Sequence, residues 1–187
     1  GKKVYPQPEV IELIQDKRLQ KKFYRENGIP TAEFVITENA ADVRNHTGLL
    51  PAVNKLGREG YDGRGVQIIR NESDLAKAFD APGLLEKLID FEKEIAVIVG
   101  RNEAGEIRTF PVVEMVFHPV QNLVEYLFAP ASISETITNQ ANNIAEDIIR
   151  KLGMTGILAV EMFVTKDGTV LVNEIAPRPH NSGHHTI

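Results

Sequence analysis

The sequence predicts an α+β fold: two subdomains, each on a mainly antiparallel sheet, spanning about residues 30–85 and 86–187. Three observations predict it. Apolar runs at residues 51–56 and 66–69 flank a glycine-rich stretch, which makes a hairpin with a long tip. Beyond Glu92 the chain is rich in strand-forming residues and closes on a second hairpin, turned by Lys166-Asp167-Gly168. Ahead of that hairpin, Ile137, Ala141, Ile144, Ala145, Ile148, Ile149 and Leu152 recur at helical spacing, and so broad an apolar face must cover a sheet.

Composition narrows the function classes. Hydrophobic residues make up 42% and charged residues 25%, ordinary proportions for a globular protein able to fill a core. A net charge of −5 argues against nucleic acid as a general partner, so anionic ligands must be held by local basic clusters. The absence of cysteine excludes disulfides, thiolate metal sites and a cysteine nucleophile. No apolar run approaches the ~20 residues that span a bilayer. The start, Gly1-Lys2-Lys3-Val4-Tyr5-Pro6, is not a signal peptide. The expected location is the cytoplasm, with no membrane partner.

The elements follow in order. Pro6 and Pro8 open an amphipathic helix whose stripe, Val10, Leu13, Ile14 and Tyr24, runs to about residue 26. Asn27-Gly28 ends it and Pro30 prevents its restart. Lys17 and Lys21 fall on the same stripe. Either both bury their stems and solvate their heads, or one head faces an anion. Residues 32–36 read as a strand, with Thr37 as the N-cap of a short helix to about His46. The strand at 51–56 carries Lys55 near its end. The tip Gly57-Arg58-Glu59-Gly60-Tyr61-Asp62-Gly63-Arg64-Gly65 then holds four glycines, whose amides can approach a phosphate closely. It lacks the Gly-Lys-Ser/Thr of a P-loop and the strand–loop–helix context of a dinucleotide fingerprint. A glycine-rich hairpin over phosphates, with a lysine on the preceding strand, is the arrangement of other nucleotide enzymes. A plain flexible hairpin is the alternative.

Residues 72–79 read as a short helix ended by Pro82-Gly83. Residues 84–89 form an apolar strand interrupted by Glu86-Lys87. That strand is either an edge with a solvated Glu86 or a connection lying beside a nucleotide base. A strand at 94–99 reaches a turn at 102–105, and 107–117 returns carrying Glu114 among apolar neighbours. Another strand follows near 123–128. Ser132-Ile133-Ser134-Glu135 reads as a capping box for the long helix, which Gly153 closes.

The last hairpin carries the chemistry. Residues 156–164 are apolar except for Glu161, and 169–175 except for Asn173 and Glu174. Counted from Asp167, Glu161 lies six residues before the turn and Glu174 seven after, so the two can be cross-strand neighbours. Adjacent carboxylates repel unless a proton or a cation sits between them. With no cysteine and no histidine on these strands, the expected cation is magnesium, whose remaining ligands are waters and phosphate oxygens. Exposure of both acids on a solvated face is the bland alternative. The strand then delivers Ala176-Pro177-Arg178-Pro179-His180-Asn181-Ser182-Gly183-His184-His185 to its C-terminal end, the layout of an active-site edge rather than of a polar tail.

Taken together, Gly60 to Gly65, Lys55, Glu161, Asn173-Glu174 and Ala176 to His184 resemble an ATP-grasp enzyme. More narrowly they resemble the 5-(carboxyamino)imidazole ribonucleotide synthetase family, the ATPase subunit of phosphoribosylaminoimidazole carboxylase. The resemblance covers nearly the whole chain. It implies an ATP-grasp fold clamping ATP between two subdomains. It implies a carbon–nitrogen ligase of purine biosynthesis that uses ATP, bicarbonate and aminoimidazole ribonucleotide. Bicarbonate attacks the γ-phosphate to give carboxyphosphate, and the amine then takes up the carboxyl group.

In that frame Glu161 and Glu174 hold Mg²⁺, for which Mn²⁺ can substitute, and Asn173 assists. Lys17 and Lys55 contact ATP, while Gly60, Tyr61, Gly63 and Gly65 close over its phosphates. Glu86, Lys87 and Ile89 form the adenine connection, and Glu94 contacts the ribose. Arg178 and His180 hold carboxyphosphate, with Asn181 and Ser182 beside them. Asp62 and Arg64 contact the ribonucleotide. The full-length protein is implied to be a homodimer. Two departures stand out: Val66 replaces a frequent glutamine, and the family's N-terminal Rossmann-like domain and C-terminal segment are missing, as in a central fragment that need not turn over alone. The formate-dependent glycinamide ribonucleotide transformylase shares the Glu-x-x-Pro-Arg-Pro-His ending and is the enzymatic alternative. A non-catalytic ATP-binding module is the other.

Overall fold

The computed structural model describes residues 2–58, 65–117 and 124–186. The expectations for Gly60, Tyr61, Asp62, Gly63 and Arg64 therefore lie outside the described residues.

The chain opens with two helices, α1 (Pro8–Ile14) and α2 (Lys17–Glu26), instead of one. Asp16 makes the break: its carboxylate accepts from the Arg18 amide at 3.0 Å and caps α2, satisfying an amide that helix geometry leaves free. Gly28, at φ 67°, closes α2 as the sequence indicates. A four-stranded sheet follows, ordered β1 (Phe34–Thr37), β4 (Gly83–Lys87), β2 (Ala52–Leu56), β3 (Val66–Ile69). Every pairing in it is antiparallel. The short helix α3 (Ala40–Arg44) is capped by Asn39, which accepts from Ala41 and Asp42 amides, while Thr37 is the last, buried residue of β1. A cap must sit in the extended residue just before the first helical turn, and Thr37 lies two positions too early. Residues 72–77 form a 3₁₀ helix capped by Asn71.

The larger sheet has the order β10 (Val170–Ala176), β9 (Gly156–Thr165), β5 (Phe91–Arg101), β7 (Val113–Phe117), β8 (Val124–Phe128), with β6 (Ile107–Thr109) also on β5. The single return strand expected over 107–117 is thus two, parted at Phe110-Pro111, because proline cannot donate to the ladder. The helix α4 (Glu135–Lys151) covers one face, burying Ala141, Ala145, Ile148 and Ile149 against Ile95, Val97, Val160 and Val172. The two alanines let the helix approach the sheet, and each buried isoleucine contributes roughly 2–3 kcal/mol. Ser134, not Ser132, caps α4, accepting from the Ile137 amide at 3.3 Å. The Ser132 amide instead donates to Glu114. Val10, Ile14, Tyr24 and Ile29 join the same core, so α1 and α2 pack on the larger sheet although they precede the smaller one. Among the described residues no helix is long and apolar enough to cross a membrane.

The opposite face of the larger sheet carries the polar residues. Strand alternation places Glu94 and Ala96 of β5, Glu161 and Phe163 of β9, and Glu174 of β10 on that face.

Candidate functional site

The site begins with the hairpin of β9 and β10. Glu161 and Glu174 are direct cross-strand partners, and the register slips between Val172 and Glu174. The one-residue mismatch counted from the turn is thus a β-bulge at Asn173, which lets both acids share one face. The bulge also frees the Asn173 side chain to accept from Lys55 Nζ at 3.0 Å, across 118 residues of sequence. Lys17, in the first turn of α2, reaches Glu174 at 3.5 Å. A cleft between the two sheets is lined by Lys17, Gln20, Lys21, Lys55, Leu84, Asn173 and Glu174. A wider surface depression on the flank of α4, lined by Pro30, Thr136, Asn139, Gln140, Asn143, Ile144 and Asp147, contains none of these groups and lacks the ionic chemistry.

Behind the cleft sits a buried ion cluster. Glu86 receives Lys21 at 2.6 Å on one oxygen and contacts Lys55 through the other. Burial works against the Glu86 carboxylate, yet the charges of Lys55 and Lys21 hold it below the usual carboxylate range. Burial likewise works against charge on Lys55, but Glu86, joined by Glu174 and Glu94, raises it. The edge strand with a solvated Glu86 is therefore overturned: β4 runs between β1 and β2, and Glu86 is only 4% exposed. Register decides this, because Glu86 faces Val53 on one side and Phe34 on the other. Of the two lysines on the early stripe, neither simply solvates its head. Lys17 points at Glu174, and Lys21, at 3% exposure, is the more buried. The sequence pattern could not rank them, since both occupy one helix face.

Glu94 shows the electrostatic demand of the polar sheet face. Burial first, then the neighbouring Glu161, pushes it up to about 8, with Lys55 opposing. A face on which carboxylates crowd so closely that one tends to hold its proton suits a cation. Among the described residues no three His, Asp or Glu side chains converge as metal donors, and Glu161 and Glu174 pair across β9 and β10. A pair of carboxylates of this kind would suit a hard, oxygen-preferring cation such as Mg²⁺.

After β10 the chain turns into a short 3₁₀ helix over Asn181–Thr186. His180 Nε2 lies 2.9 Å from Glu161. The Ser182 amide, which can only donate, points at His180 Nδ1 at 3.4 Å, and the Ser182 hydroxyl is 2.9 Å away. Nδ1 therefore accepts, and Nε2 carries the proton that goes to Glu161. Ser182 is fully buried, and its contacts with Nδ1 fix the orientation of the His180 ring.

The remaining residues are more dispersed. Arg178 is exposed, and its guanidinium donates to the Pro179 carbonyl at 3.1 Å rather than to the carboxylates. Asn181 is exposed beside it. Lys87 ends β4 with its side chain exposed, and Ile89 is half-buried in the link to β5. Gly65, at φ 76°, closes the base of the glycine-rich tip by accepting from the Leu56 amide. His185 packs edge-on to Phe110 and contacts the Ser182 carbonyl, and His184 is exposed. Sequence reasoning left Lys21, Gln20 and Thr31 out of the site. Lys21 was visible as a charge on an apolar stripe, whereas nothing local marked Gln20 or Thr31.

Comparison with known proteins gives a consistent likeness. Residues 22–187 match the family described as ATP-grasp domain. The chain is 39% identical over 194 residues to a phosphoribosylaminoimidazole carboxylase of Ogataea methanolica, covering 100% of this chain and 35% of that protein. It superposes on the N5-carboxyaminoimidazole ribonucleotide synthetase of Thermotoga maritima with a TM-score of 0.85 at 44% identity, covering 98% of this chain and 47% of that one. A synthase of Aspergillus clavatus in complex with ADP and 5-aminoimidazole ribonucleotide gives a TM-score of 0.88 at 30% identity, covering 97% and 49%. The chain thus spans about a third to a half of the length of these relatives.

Proposed function

The chain belongs to the ATP-grasp domain family, and on that premise we propose that it is the ATP-binding core of an enzyme that carboxylates 5-aminoimidazole ribonucleotide. The reading is carried by one observation: the cross-strand pair Glu161–Glu174 lies on the sheet face that meets the Lys17–Lys55–Asn173 cleft, with His180 on its other side. The names of the carboxylase and synthases similar to this chain support the choice of substrate.

The triphosphate lies in the cleft, with Lys17 and Lys55 on its oxygens. Glu161 and Glu174 would hold Mg²⁺, which would supply charge neutralisation at the phosphates. Phosphoryl transfer asks chiefly for positioning and for neutralisation of developing charge, which this set of residues offers. A bicarbonate oxygen attacks the γ-phosphorus, the bond to the bridging oxygen breaks, and ADP leaves. The ribonucleotide amine then attacks the carboxyl carbon of carboxyphosphate, the bond to the phosphate oxygen breaks, and the amine proton passes to a base. His180 and Arg178 hold the carboxyphosphate anion, and Asn181 and Ser182 flank the acceptor. Glu94 receives the ribose hydroxyls, and the Glu86–Ile89 segment lies along the adenine. The full-length protein acts as a homodimer in the cytoplasm, with Mn²⁺ able to replace Mg²⁺.

ADP release by the full-length protein, measured with the ribonucleotide and either bicarbonate or formate, tests this. Turnover with bicarbonate is expected, and turnover with formate plus glycinamide ribonucleotide alone would overturn it in favour of the transformylase. Glu161→Ala with Glu174→Ala should lower kcat by roughly a hundredfold or more, the scale of losing a main electrostatic contact. Carboxylation at the wild-type rate by that variant would refute the metal assignment.

A further inference from the structure

Lys21 is the most buried basic group beside the cleft, and the mechanism above gives it no task. It lies 3% exposed on α2, 2.6 Å from Glu86, and donates to Thr31 Oγ1 at 2.5 Å. Thr31 in turn donates to the Val172 carbonyl at 2.7 Å. Lys21 therefore ties β4 to the strand that carries Asn173 and Glu174. Burial depresses its pKa, and the charge of Glu86, joined by Glu174, opposes that shift, so its position has an electrostatic cost that Glu86 chiefly offsets.

The charge balance of the cluster gives that cost a use. Two ammonium groups share one carboxylate, Lys21 on one oxygen of Glu86 and Lys55 on the other. Glu86 and its two lysines together carry one positive charge in excess, and Lys55 is the member that reaches out of the group, to Asn173 at 3.0 Å and into the cleft, where Glu174 and Glu94 also act on it. With Lys21 absent, Glu86 would neutralise Lys55 alone and hold it back. We infer that Lys21 is a positioning residue that takes up half of the Glu86 carboxylate so that Lys55 keeps an uncompensated charge aimed at the nucleotide phosphates.

This inference rests on the nucleotide-binding reading, and the test separates the two. Calorimetric titration of the full-length protein compares ATP·Mg²⁺ with adenosine, which fills the base and ribose sites but carries no phosphate. Lys21→Met is expected to weaken ATP roughly tenfold, the scale of losing one charge-assisted contact, and to leave adenosine affinity unchanged. Equal weakening of ATP and adenosine would show a merely structural brace and overturn the inference. Thermal unfolding of each variant identifies any that fails to fold. In that event Lys21→Arg, which keeps the charge, must bind ATP within a fewfold of wild type or the inference falls. A wild-type protein that binds neither ligand would overturn the nucleotide reading itself, and this inference with it.

Discussion

Asp16 shows how much one side chain can organise. Its carboxylate accepts from the Arg18 amide and guanidinium at 2.8–3.0 Å and from Arg58 Nε at 3.2 Å. The hydrogen bonds from Arg18 hold its pKa down to about 2 despite burial, with Arg58 adding to the effect. The same residue caps α2, fixing Lys17 at the cleft, and ties down Arg58 at the base of the glycine-rich tip. A carboxyl whose folded pKa lies below its unfolded one stabilises the fold fully above the unfolded value near 3.8 and loses that contribution as pH falls through about 2. The contribution is about 2 kcal/mol. Asp16→Asn should lose most of it at neutral pH and flatten the acid limb, as read by denaturant unfolding from about pH 7 to about pH 2. An unchanged acid limb would mean that Arg18 and Arg58 do not act through this charge. At this scale the sequence was informative about the two glutamates, which stood out as charges within apolar strands. It was silent about Asp16, which looks like any acid within a helical run.

Among the elements, β4 is the one most altered by the fold. The sequence presents Pro82-Gly83 as the stop after a short helix. In the structure Gly83 opens β4, where a Cβ would lie 2.2 Å from the Lys55 carbonyl oxygen. Glycine is required there because β2 and β4 approach so closely at the end of the strand that carries Lys55. Gly83→Ala must push the strands apart, and about 2 kcal/mol of stability should be lost, together with ATP affinity as Lys55 moves. Denaturant unfolding and nucleotide titration check both effects, and wild-type values in both would show that β4 can step aside freely. The long helix α4 was legible because seven apolar positions repeat over four turns. The break between α1 and α2 was not, because the apolar stripe continues across it and only the cap at Asp16 interrupts the backbone. The caps themselves were misread by two positions at Thr37 and at Ser132. Each time a second capping residue, Asn39 or Ser134, stood nearer the first turn.

For the whole molecule, the two sheets meet at the cleft through Lys55 to Asn173, and α2 links them through Lys21 to Glu86 and Lys17 to Glu174. A nucleotide bound there would touch both sheets and bridge them. ATP with Mg²⁺ at a hundred times its dissociation constant should therefore add about 2.7 kcal/mol to stability. Thermal unfolding should rise by several degrees, and less with ATP plus a chelator. An identical midpoint with and without ATP·Mg²⁺ would remove the cleft as the binding site. The hairpin and helix order that implied two antiparallel sheets came from the sequence. That α1 and α2 join the core of the second sheet, although they precede the first, came only from the apolar cluster they share with Ile95 and Val97.

Local chemistry determined what the chain by itself could say: helical and strand periodicity, the turns at Gly28 and Gly168, and the acids Glu161 and Glu174 set within apolar strands. Those features arise among residues a few positions apart, where spacing along the chain is spacing in space. Tertiary structure alone decided which lysine takes Glu86, that Asn173 bulges to receive Lys55, and that Thr31 joins Val172 across 141 residues. The energy of a buried charge depends on which opposite charge reaches it, and that is set when distant segments pack.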